Sequence, residues 1–108
     1  MLNPIDRIEV LTEEQLQIEN ESSYTIVADA SEELGELCRA MRIEDSVTKR
    51  HKTLDEPSTH EAIDLVICAF ATYFARGGKK EEIDLLMNKK LDKWVDNVDR
   101  NVSDGETK

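Results

Sequence analysis

Aromatic rings and cysteines are scarce in this chain, and its cations are too few to balance its acids. Of its 108 residues, 14 are Lys or Arg against 24 Asp and Glu, a net charge of −10. That balance argues against a nucleic acid polymer as partner, because such binding draws its affinity from phosphate neutralisation. It argues equally against an anionic membrane surface. Aromatic residues make up only 5% of the chain, so any core is aliphatic and modest. Association between copies is then a natural way to bury more surface. The only cysteines, Cys38 and Cys68, both sit among apolar residues and read as buried, reduced thiols. No His/Cys set has zinc-like spacing. His51 and His60 have no serine or cysteine partner at an identifiable spacing, which disfavours nucleophilic catalysis. The longest apolar stretch, residues 62–75, is too short to span a bilayer and carries Asp64. Met1-Leu2-Asn3-Pro4 lacks the basic region and apolar run of a signal peptide. A soluble cytoplasmic protein is expected.

No segment alternates with period two for long enough to be a strand, and no internal repeat is visible, so the expected class is all-α: a bundle of three to four helices. Residues 1–11 read as a mixed lead-in, and Thr12 with Gln15 has the form of a capping box, placing a helix start there. Over residues 24–44 the apolar positions Val27, Ala30, Leu34, Leu37 and Met41 recur at three- and four-residue steps. Residues 45–56 form a polar loop with a basic run, Lys49-Arg50-His51-Lys52. Pro57 and Ser58 open the next helix, with Ser58 and Glu61 again spaced as a capping box. Between Ala62 and Ala75 only Asp64 and Thr72 are not apolar, the mark of a buried helix. Arg76-Gly77-Gly78 stops it through a left-handed glycine. A last helix over residues 79–102 carries Ile83, Met87, Leu91, Trp94, Val98 and Val102 along one face, a bundle or coiled-coil seam. The expected domain is residues 1–102, followed by a disordered tail at 103–108.

Two acidic clusters carry the chemistry: Glu32-Glu33-Leu34-Gly35-Glu36 and Glu61-Ala62-Ile63-Asp64. Carboxylates three or four residues apart stack on one helix face. Glu33 lies about 40° from Leu37 on the helical wheel, and Glu36 about 60° beyond Glu33, so both border the apolar stripe. Charge in that position is costly unless compensated. Asp64, at the head of an apolar helix, has no capping role to explain it. A metal is the economical explanation, and an ion pair with Lys90 or Arg39 is the alternative. Four carboxylates from two facing helices suit Mg²⁺ or Mn²⁺, which prefer oxygen ligands. Glu81-Glu82-Ile83-Asp84 has similar spacing but opens the last helix, where acids suit the helix dipole, and it is given no site role.

The order Glu-Glu-x-x-Glu at 32–36 and Glu-x-x-Asp at 61–64, with 24 residues between, resembles the MazG-like proteins of the all-α nucleoside triphosphate pyrophosphohydrolase superfamily. Leu34-Gly35-Glu36-Leu37 and Asp64-Leu65-Val66 fit as well, and the similarity spans roughly residues 24–97. The resemblance implies Mg²⁺-dependent hydrolysis of (deoxy)nucleoside triphosphates between the α and β phosphates, giving a monophosphate and pyrophosphate. In the cell this cleans the nucleotide pool. It implies Glu33, Glu36, Glu61 and Asp64 as metal ligands, and Glu32 as the residue that binds a further metal or orients the attacking water. Asn88, Lys89, Lys90 and Lys93 map near the family's phosphate-binding residues, although Trp94 stands where many members have a basic side chain. It also implies a homodimer or homotetramer with sites built between subunits. The open alternatives are a related enzyme acting on dUTP or phosphoribosyl-ATP, and a non-catalytic helical module that binds a partner through the seam at 83–102.

Overall fold

A computed structural model describes residues 3–17, 23–46 and 56–106. Four α-helices follow one another: α1 Pro4–Gln17, α2 Ser23–Asp45, α3 Ser58–Ala75 and α4 Ile83–Glu106, the last preceded by a 3-10 turn at Lys80–Glu82. No strand occurs among the described residues, as expected of an all-α chain. The contacts group the chain into two compact units, Met1–Gly78 and Lys79–Lys108, and each is described by itself.

In the first unit, α3 packs most extensively on α2 and also on α1. α1 starts eight residues earlier than the expected Thr12. The start signal is Asn3-Pro4: the Asn3 side-chain oxygen accepts the Asp6 N–H at 2.8 Å, and proline suits the first helical position because its missing N–H would be unpaired there anyway. Thr12 is therefore no cap. It is buried in mid-helix, its hydroxyl donating to the Ile8 carbonyl at 2.7 Å. α4 also overruns expectation, continuing to Glu106 through the first part of the anticipated tail. Extending a helix already formed adds one hydrogen bond for each residue fixed, which is far easier than starting one.

The start of α3 differs from the expected capping box as well. Pro57 occupies the cap position and makes no side-chain cap hydrogen bond. Instead Glu44, near the end of α2, accepts both the Ser58 N–H at 2.7 Å and the Ser58 hydroxyl at 2.6 Å. A carboxylate at a helix N-terminus is favoured by the unpaired N–H groups and the dipole. Glu44 thus clamps the end of α2 to the start of α3 and leaves Glu61 without a capping task. At the other end of α3, Gly77 at φ +92° provides the left-handed stop. The Gly78 N–H reaches the Tyr73 carbonyl at 2.8 Å and the Gly77 N–H the Phe74 carbonyl at 3.0 Å, the paired bonds of a Schellman ending. A Cβ on Gly78 would overlap the Tyr73 ring, so this glycine is required by close approach.

The core is small. Ile26, Ala40 and Ile43 are its buried aliphatics in the first unit. The stripe expected to form the α2 core is instead half open: Val27, Leu34 and Met41 are exposed, whereas Ala30 and Leu37 are partly covered. The surface helix α3 is likewise not buried all round, because Ile63, Val66 and Ile67 are exposed. Nor are the thiols buried as a pair: Cys38 is exposed and Cys68 is partly covered, both free.

Replacing Glu44 by Ala is expected to lower the unfolding free energy by about 1–3 kcal/mol, because a charge-assisted double acceptor is lost. Glu44→Gln, which keeps one acceptor oxygen, should cost less. Urea unfolding at neutral pH measures both, and equal stability of Glu44→Ala and wild type would contradict the clamp.

Candidate metal centre

The geometry that buries the aliphatic face of α2 also carries an acid inward. At about 100° per residue, Glu33 falls within about 20° of both Ile26 and Ala40, and both of those are 3% exposed. On α3, Glu61, Asp64 and Cys68 follow at three- and four-residue steps and are all buried or partly covered. α3 is therefore turned so that its acids face the neighbouring helices while Ile63, Val66 and Ile67 face out.

The result is a compact oxygen cluster. Glu33, Glu61 and Asp64 each offer one carboxylate oxygen, and these three atoms lie within 4.8 Å of one another. Glu61 is only 8% exposed. One oxygen of Glu61 and one of Glu33, Oε2 in each, are buried without a hydrogen-bond partner. A buried acceptor without a donor costs free energy, and more so when it is charged. Both carboxyls are consequently pushed above the ordinary glutamate value of 4.5: burial is the largest cause for each, followed by the charge of Glu36. Glu36 also lies close enough to share a hydrogen bond with each, which holds the proton on them, and Asp64 adds further repulsion.

The structure thus brings together Glu33, Glu61 and Asp64, with Glu36 as an exposed neighbour on the same side. The neighbours described for Asp64 are the carboxylates of Glu33 and Glu61. Glu32 is exposed on α2 beside the cluster residue Glu33. Asn88, Lys89, Lys90 and Lys93 are all exposed on α4, in the second unit. The basic run at 49–52, with His51, lies outside the described residues, and His60 is exposed. Two acids escaped the sequence reading. The charge of Glu56, just ahead of Pro57, raises both Glu33 and Glu61. Asp29 acts with Glu33 and Asp64 on Cys68, whose thiol is pushed up first by burial and then by these charges. Asp29 precedes Glu33 by four residues, a spacing that marks it as a face-mate. Glu56 has no periodic signal because it precedes the helix.

Asp29, Glu33, Glu36, Glu56, Glu61 and Asp64 together form a strong negative field, and oxygen donors alone select hard divalent ions over soft ones. The orphaned buried oxygens fit such an ion. No family model, curated protein or solved structure matches the chain.

Glu33 and Glu61 favour their protonated form when the chain is folded. Their contribution to stability is therefore full below the unfolded value near 4.5 and is lost as pH rises through the raised folded values. Glu61→Gln, which imitates the protonated state, is expected to be more stable than wild type at pH 7.5 in chelator, with the gap narrowing toward pH 4. Chemical unfolding at the two pH values checks this. A variant less stable than wild type at both would contradict the electrostatic reading.

Proposed function

We propose that the chain is a Mg²⁺-dependent nucleoside triphosphate pyrophosphohydrolase of MazG-like type, with Glu33, Glu61 and Asp64 holding the metal and Glu36 completing the set. The observation that carries this reading is the pair of buried, unpartnered carboxylate oxygens on Glu33 and Glu61, within a three-acid cluster that spans two helices. Stability alone favours neutral side chains at such positions. A divalent ion bound there would neutralise phosphate charge, lower the pKa of a coordinated water and permit an anionic substrate to approach an acidic protein.

The chain's own residues then have distinct tasks. The inward carboxylates fix the ligand positions from two packed helices, which holds them more rigidly than a loop would. Glu32, exposed next to Glu33 and outside the ligand set, orients the attacking water and takes its proton. Attack at the α phosphorus forms one P–O bond and breaks the bridge to the β phosphorus, so the products are a nucleoside monophosphate and pyrophosphate. Lys89, Lys90 and Lys93, with Asn88, are assigned to the outer phosphates by the family resemblance. Assembly of copies into a homo-oligomer is part of this reading, supported by the aliphatic outer side of α3, where Ile63 is 58% exposed.

Two measurements test it. A thermal melt with Mn²⁺ or Mg²⁺ is expected to rise by several degrees, since a ligand at roughly 100 times its dissociation constant adds about 2.7 kcal/mol. The rise should vanish in Asp64→Asn. Pyrophosphate release from a panel of deoxynucleoside triphosphates, dUTP and phosphoribosyl-ATP should need the metal and fall at least about 10–100-fold in Asp64→Asn and Glu61→Gln. A metal-dependent melt without any release would leave a metal-stabilised helical module, and no metal effect in either assay would overturn the reading.

A further inference from the structure

No further inference is drawn: the strongest candidate, the exposed apolar stripe of Met87, Leu91, Trp94, Val95 and Val98 along α4, carries none, because nothing in the structure shows what covers it.

Discussion

Repulsion among inward-facing carboxylates is the constraint on which this molecule turns. Glu61 is buried and Glu33 partly covered, each with one oxygen shut off from water, and Asp64 and Glu36 stand beside them. A helical pair chosen for stability alone would place aliphatic side chains there. This chain does the reverse on α3, turning Ile63, Val66 and Ile67 outward and its acids inward. Such an arrangement is costly for the isolated chain, and on the proposed reading two kinds of binding would offset the cost: a cation between the acids, and a protein surface over the aliphatics.

The fold serves this arrangement by simple means. Glu44 reaches from the end of α2 to the first residue of α3 and fixes the two helices at that point. That junction sets which way Glu61, three residues further on, presents its carboxylate. At the opposite end, the left-handed Gly77 and the ring-crowded Gly78 end α3 within one turn. The small aliphatic core of Ile26, Ala40 and Ile43 then holds a face on which Glu33 is the one acid near the centre.

Much of this was legible in the residues, and the failures have identifiable causes. Asp64 inside an apolar run and Glu33 close to Leu37 on the wheel both marked acids set beside apolar surface, and the structure brings them together. Helix type was readable because long three- and four-residue periods leave no competing pattern. Glu61 was ambiguous, since Ser58 and Glu61 match a capping box. The ambiguity ends with Glu44, 14 residues before Ser58, a partner that local spacing has no means to show. The same limit hid Glu56, which stands outside any helix, and misplaced the start of α1, where Thr12 and Gln15 imitate a cap that Asn3 and Pro4 provide. Which side of a stripe is covered also depends on the neighbour's position, and so Val27, Leu34 and Met41 proved half open although their spacing suits a core.

On the proposed reading one divalent ion binds among these acids. Anomalous scattering from crystals grown in Mn²⁺ locates that ion directly. The account predicts a peak at coordination distance from Glu33, Glu61 and Asp64. A well-ordered crystal saturated with Mn²⁺ that showed these carboxylates in place and no peak between them would contradict it.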